Sequence, residues 1–215
     1  MICDSYYLLN HKLSKSIYLN DPFFLAKKIL LGSYLCSQTN GILTAGKITE
    51  LEVYLGGHDK ASHTYQYKKT PRTAIQWKKG GHAYIFFVYG MHHQFCVTTS
   101  PENEPNSILI RSLEPVFGIE EMCRRRHTSI IKNLTTGPAK LCQALNITTL
   151  QNGIDLTGNK IWITPHITRE SENSIMEAPR IGVNYADEYA LKKWRFYLKN
   201  SLFVSKKEKS VSKIK

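Results

Sequence analysis

The chain has 215 residues, 42% of them hydrophobic, which suits one compact domain with a sizeable core. Its 29 Lys and Arg against 17 Asp and Glu give a formal net charge of +12, so a polyanionic partner is expected, nucleic acid ahead of an anionic membrane surface. The longest apolar runs, Phe23 to Leu31 and Ala83 to Tyr89, are far short of the roughly 20 residues of a spanning helix, and five widely spaced cysteines without a CxxC pair argue against a disulfide framework or a cysteine-held metal.

From the N-terminus, MICDSYYLLNHKLSK lacks the apolar stretch and cleavage site of a secretory signal, so a reducing, cytoplasmic setting is expected. Residues Pro22 to Cys36 have Asp21 as a candidate N-cap, Pro22 at the first helical position and apolar residues at helical spacing, which predicts a core-packing helix. Short β-type runs follow from Ile42 to Leu55 and stop at Gly56-Gly57. The polar, basic segment from His58 to Thr73 offers little apolar surface and reads as a functional surface loop. Strand-like residues return from His82 to Thr99. After a Pro/Asn turn, Ser107 to Leu113 reads as a second strand, antiparallel to the first. Gly118 to Arg126 and Gly137 to Leu145 look helical, and Lys160 to Ile163, Pro179 to Val183 and Trp194 to Leu198 look like further short strands. The domain is expected to span residues 1–204. The Lys-rich segment 205–215 is predicted to be a disordered tail, either attracted to phosphate or merely solubilising.

In TELEVYLG, Glu50 and Glu52 lie two apart, so on a strand both face one side. That spacing alone equally describes a surface strand with two carboxylates. The surroundings add weight to a site: Tyr54 shares the strand face, His63 follows, and Lys68, Lys69 and Arg72 come next. An acid, aromatic rings and phosphate-binding cations are thus close in sequence. Here the blocks ITELEVYLGGHDKASH, KKTPRT, HAYIFFVYGMHHQF, SILIRSLEP, TTGPAKLCQAL, PRIGV and LKKWRFYL, in this order, resemble the alkyladenine, or 3-methyladenine, DNA glycosylase family. The resemblance runs from about Ile48 to Val204. It implies an α+β fold, a single mixed domain with a curved, mostly antiparallel sheet flanked by helices, without a helix-hairpin-helix. It also implies a monofunctional enzyme acting on double-stranded DNA that contains alkylated purines, as a monomer without an obligate protein partner, cofactor or metal.

Carried over by position, the resemblance makes Glu52 the general base that activates water, with Arg111 and the backbone carbonyl of Ile181 helping to hold that water. A carboxylate there can also stabilise the oxocarbenium character that develops on the sugar. No lysine replaces the water as nucleophile, so no lyase step is expected. Tyr54, His63 and Phe86 match the residues that sandwich the flipped base, and stacking favours a cationic, electron-poor ring. Tyr89 matches the wedge that fills the gap in the duplex, with Gly90 permitting the turn and Met91 beside it. Lys140, behind Thr136-Gly137-Pro138, matches a phosphate contact. Lys68, Lys69, Thr70 and Arg72 are expected to add others, so that binding weakens steeply with salt. Arg111 could instead serve a salt bridge with Glu114 or Glu52, and Arg124 to Arg126 could be a solvated helix face.

Two positions depart from the family pattern. Phe86 stands where some members have Tyr, and Cys96 where members commonly carry an Asn lining the base pocket, which implies a looser or shifted lesion preference. Two other classes compete. A non-catalytic reader of damaged DNA would need no Glu52. A metal hydrolase could draw on His58, His63, His82, His92 and His93, but these match no HExxH spacing, and His92 and His93 would point to opposite strand faces.

Overall fold

Runs rich in β-branched, aromatic and other apolar residues give eight strands in the computed structural model, which describes residues 4–166 and 170–208. They are β1 Tyr34–Thr39, β2 Ile42–Tyr54, β3 Ala83–Val88, β4 His92–Thr99, β5 Asn106–Phe117, β6 Ile161–Thr164, β7 Ile175–Ala178 and β8 Arg195–Leu198. They form one sheet in the order β3-β4-β5-β2-β1-β6, with β8 paired to both β2 and β7. Each of these pairings is antiparallel. Besides short 3₁₀ helices, four α-helical segments flank it among the described residues: α1 Ser5–Asn10, α2 Pro22–Phe24 with a π-helical continuation Leu25–Leu30, α3 Ile119–Arg126 and α4 Pro138–Ala144. The mixed α+β architecture expected from the sequence is the one found.

Strand β2 is the spine. One of its edges pairs with β5 along nearly its whole length, while the other is shared between β1 as far as Lys47 and β8 at Glu50 to Glu52. The period of two along the strands separates two environments. Ala83, Ile85, Phe95, Val97, Ile108, Ile110, Leu51 and Val53 enter the main core with Leu25 and Leu30 beside α2 and Leu141 from α4. Their strand neighbours Tyr84, Phe86, Cys96, Leu109 and Tyr54 form a separate cluster.

The register between β2 and β5 slips three times, between Ala45 and Gly46, between Ile48 and Glu50 and between Glu50 and Leu51. In the last slip Ser112 pairs with Glu50 and Ile110 with Leu51, so Arg111 is the extra residue. Such a bulge bends the sheet and re-aims the side chain it carries.

The expected helix from Pro22 to Cys36 is shorter than its apolar spacing suggests. Asp21 does cap it, its Oδ1 accepting the N–H groups of Phe23 at 3.0 Å and Phe24 at 2.9 Å. The helix stops at Leu30, Gly32 takes a left-handed φ of 89°, and Tyr34 to Cys36 pair with Ala45 to Lys47 instead. Helix and buried strand share an apolar run here, and only the partner strand decides between them. Pro179 to Val183 is not a strand: the ladder with β8 ends at Ala178, Pro179 has no N–H to continue it, and the Ile181 N–H turns toward Glu52. The runs from Ile42 to Leu55 are one strand to Tyr54, and the stretch from His82 to Thr99 is a hairpin.

The loop from His58 to Thr73 is less superficial than its polarity suggests. Asp59, Ala61, Ser62, Thr64 and Thr73 are buried, their polar groups satisfied within the loop, as where Ser62 and Thr64 hydroxyls lie 2.9 Å apart, and from distant segments, as where Thr64 donates to the Pro105 carbonyl. The unordered tail expected from residue 205 does not hold for its first part. The Ser205 N–H donates to Glu50 at 2.7 Å, and Arg195 donates to the Lys206 carbonyl at 2.7 Å and to Glu208 at 2.8 Å. Residues 209–215 lie outside the described residues. Among the described residues no helix is long and apolar enough to cross a membrane.

Candidate active site

A cavity of about 500 Å³ opens on the sheet face opposite the main core, lined by Tyr54, His63, Arg72, Gln76, Tyr84, Phe86, Cys96, Arg111, Ile181 and Tyr185 among others. That volume lies in the range of small-molecule sites. Strand alternation places Tyr84 and Phe86 of β3, Cys96 of β4 and Leu109 of β5 on one wall. The loop after β2 contributes Ser62 and His63, and the turn after Pro179 contributes Ile181 and Gly182.

Glu52 is fully buried directly behind this lining. Three residues that face the cavity hold its carboxylate. Tyr54 donates its hydroxyl to Oε2 at 2.7 Å, Arg111 Nη1 stands 3.2 Å from the same oxygen, and the Ile181 N–H donates to Oε1 at 2.8 Å. A carboxylate offers about four acceptor directions, so three donors leave one, on Oε1. Burial, and then the adjacent Glu52, push the Tyr54 hydroxyl well above its ordinary pKa, so it stays a donor. The Ile181 contact made here is through its N–H, a different group from the carbonyl expected from the sequence.

Glu50, on the same strand face, does not share the cavity. Its Oε1 takes Arg195 at 3.0 Å and lies 3.4 Å from Arg111 Nε, and its Oε2 accepts the Ser112 hydroxyl at 3.0 Å and the Ser205 N–H. Arg111 therefore bridges both carboxylates. The salt bridge weighed from the sequence is made with Glu52 and Glu50, and the same side chain lines the cavity.

His63 sits at the rim. Its ring meets Phe86 edge-on at 4.7 Å, Nδ1 is 2.8 Å from the Tyr84 hydroxyl and Nε2 is 3.4 Å from Arg72 Nη2. Because guanidinium only donates, Nε2 is the acceptor and the proton belongs on Nδ1, facing Tyr84. Crowding by the surrounding protein, then the Arg72 cation, push its pKa down to about 4, so the imidazole is neutral at pH 7. Arg72, exposed like Lys68, lies 5.0 Å over the Phe86 ring at the mouth of the cavity. Cys96 is buried in the wall, and burial pushes its thiol pKa upward, so it is a protonated, weakly polar group.

At the rim, the β3–β4 hairpin turns through two consecutive left-handed residues, Tyr89 at φ 54° and Gly90 at φ 69°, a geometry hairpins favour and glycine tolerates without strain. The tip presents Tyr89, Met91 and Phe87 to solvent, with Tyr89 88% exposed. Lys68 and Lys69 are exposed nearby in sequence, Lys69 Nζ lying 5.4 Å over the Trp77 ring. The Thr70 N–H and hydroxyl bond Thr73 Oγ1 at 2.9 and 3.1 Å, fixing that loop. Lys140 occupies the first turn of α4, next to the cavity-lining Pro138.

Sequence reasoning missed three residues. Arg180 is buried, makes a two-point pair with Asp59 at 2.5 and 2.8 Å, and lies 4.6 Å over the Tyr54 ring. Tyr185 lines the cavity while 68% exposed, and Gln76 is buried in its wall. The neighbouring PRIGV block could have pointed to Arg180, but nothing local marks the other two. Among the described residues no group of three or more His, Cys, Asp or Glu comes together to hold a metal ion.

Residues 16–202 match the family model described as Methylpurine-DNA glycosylase (MPG). The chain is 42% identical to a protein of Bacillus cytotoxicus over 200 residues, covering 88% of this chain and 97% of that protein. It is 41% identical to one of Clostridium acetobutylicum, covering 90% and 97%, and 44% identical to one of Bacillus cereus AH187, covering 89% and 98%. Each of these relatives bears the name "Putative 3-methyladenine DNA glycosylase".

Proposed function

The chain belongs to the methylpurine-DNA glycosylase family, and from that premise we propose that it everts an alkylated or deaminated purine nucleotide from duplex DNA into the cavity and hydrolyses its N-glycosidic bond. The observation that carries this reading is the three-point hold on Glu52 by residues that face the cavity. A water on the remaining acceptor direction of Glu52 gives its proton to the carboxylate as its oxygen bonds C1′. The C1′–N9 bond breaks, its electron pair leaves with the base, and an abasic sugar remains. Arg111 and Tyr54 keep the carboxylate in place, so little reorganisation is needed as positive charge builds on the sugar.

Tyr54, His63 and Phe86 surround the base. A neutral His63 matters here, since an imidazolium would repel a lesion that is itself cationic. Arg72 moves off the Phe86 face when a base enters and is then free to reach the backbone, alongside Lys68, Lys69, Thr70 and Lys140. Tyr89, with Met91 beside it, fills the gap in the duplex and slows the nucleotide's return.

Excision of methylated and deaminated purines from duplexes by wild type and Glu52→Gln tests this reading. We expect Glu52→Gln to lower the single-turnover rate by ~10² to 10⁴ while lesion binding persists. A protein that binds lesions equally well but leaves no alkali-labile abasic site, in wild type as in the variant, is a reader of damage and not a glycosylase.

A further inference from the structure

Gln76 projects from the short 3₁₀ turn Ala74–Trp77 into the wall of the cavity. The residue is 1% exposed, and neither its Nε2 nor its Oε1 has a hydrogen-bond partner. The Tyr84 hydroxyl, whose pKa burial pushes well up, lies within reach of the amide, yet no bond of normal geometry joins them. The backbone beneath is fixed: the Gln76 N–H donates to the Thr73 carbonyl at 2.9 Å, and Thr73 is tied to Thr70. Buried polar groups are nearly always paired, because an orphaned donor or acceptor keeps its full desolvation cost. One side chain with both ends orphaned, on a cavity wall, is therefore poised for a ligand that brings both an acceptor and a donor. Of the neighbouring polar groups, Tyr54 donates to Glu52 and Tyr84 accepts from His63.

We propose that Gln76 is the specificity-determining residue of this site, pairing through both arms of its carboxamide with the hydrogen-bonding edge of the everted purine. The inference rests on the glycosylase reading above. A carboxamide forms two-point pairs with adenine-type edges that offer an amine and a ring nitrogen. Turned over, it suits hypoxanthine equally, with N1–H toward Oε1 and O6 toward Nε2. In ethenoadenine the fused ring consumes both N1 and the exocyclic amine, so no N–H remains for Oε1. The residue thus favours lesions with an unblocked donor and acceptor side by side.

Single-turnover excision of 3-methyladenine, hypoxanthine and ethenoadenine by wild type and Gln76→Met, with thermal melting of both proteins, tests this. Methionine keeps the length of the side chain and removes the amide. We expect the two donor-bearing lesions to lose about 10- to 100-fold relative to ethenoadenine, with the melting temperature unchanged or higher because a buried orphan has gone. Unchanged ratios among the three lesions overturn the proposal, as does a lowered melting temperature with equal losses on all, which assigns the amide to packing. A wild-type protein that releases none of the three overturns the glycosylase reading instead.

Discussion

Arg180 shows how much of the site depends on one side chain that carries no chemistry. Its guanidinium lies between the rings of Tyr54 and Trp194, at 4.6 and 5.0 Å, and pairs with Asp59 where both side chains are fully buried. Asp59 in turn accepts the Ala61 N–H at 2.9 Å, shaping the loop that delivers His63. Removing one partner of such a pair leaves an uncompensated buried charge, which costs about 3 to 5 kcal/mol. Arg180→Met should therefore lose stability of that order in urea denaturation and excise poorly even where it stays folded, since Tyr54 loses the group that fixes its ring. A change below about 0.5 kcal/mol would mean that Asp59 finds other donors. At this scale the sequence was informative where one motif sets residues close together, as with Glu52 and Tyr54, which the fold joins by a hydrogen bond beside the cavity. It was silent where the role needs a neighbour from a distant segment, as for Gln76 beside Tyr84.

Among the elements, the tip of the β3–β4 hairpin is built to present and not to pack. Tyr89 is exposed and Gly90 has nothing within 4 Å of the position a Cβ would take. The cost of Gly90→Ala is then only that of a left-handed alanine, roughly 1 kcal/mol. Tyr89→Ala should leave the melting temperature within about 1 °C, because no buried surface is lost. If the tip is the wedge, the same variant should slow excision at least ~10-fold through faster return of the nucleotide, read as single-turnover rates on a matched duplex. Equal rates would take the hairpin out of the mechanism. The turn was legible as Tyr-Gly. The neighbouring bulge at Arg111 was not, because register slips arise from pairing with β2 and leave no local mark.

Over the whole molecule, the C-terminal segment closes a buried charge cluster that reaches Glu52. Ser205 to Glu208 bond Glu50 and Arg195, Arg195 pairs with Glu50, and Arg111 bridges Glu50 to Glu52. A chain ending at Val204 exposes Glu50 and removes hydrogen bonds to charged groups, each worth ~1.5 to 3 kcal/mol. We expect that truncation to lower stability by roughly 2 kcal/mol or more in urea, with excision reduced because Arg111 is less well held. Unchanged stability and rate would return the segment to a solubilising role. Composition had suggested that role, since Lys-rich stretches are usually solvated, and only the buried Glu50 explains why Ser205 to Glu208 fold back.

The sequence by itself determined most of the central strands, from Ile42 to Tyr54, from His82 to Thr99 and from Ser107 to Leu113, together with the Asp21 cap, the α+β class and the position of Glu52 within its motif. All of these depend on periodicity or on residues close together along the chain. The tertiary structure alone decided where the apolar run after Pro22 stops being helix, that Glu50 belongs to a structural cluster while Glu52 backs the cavity, and that Arg180, Tyr185 and Gln76 join the site. Those outcomes are set by pairing partners and buried charges brought together from segments far apart, and local sequence does not encode their distances.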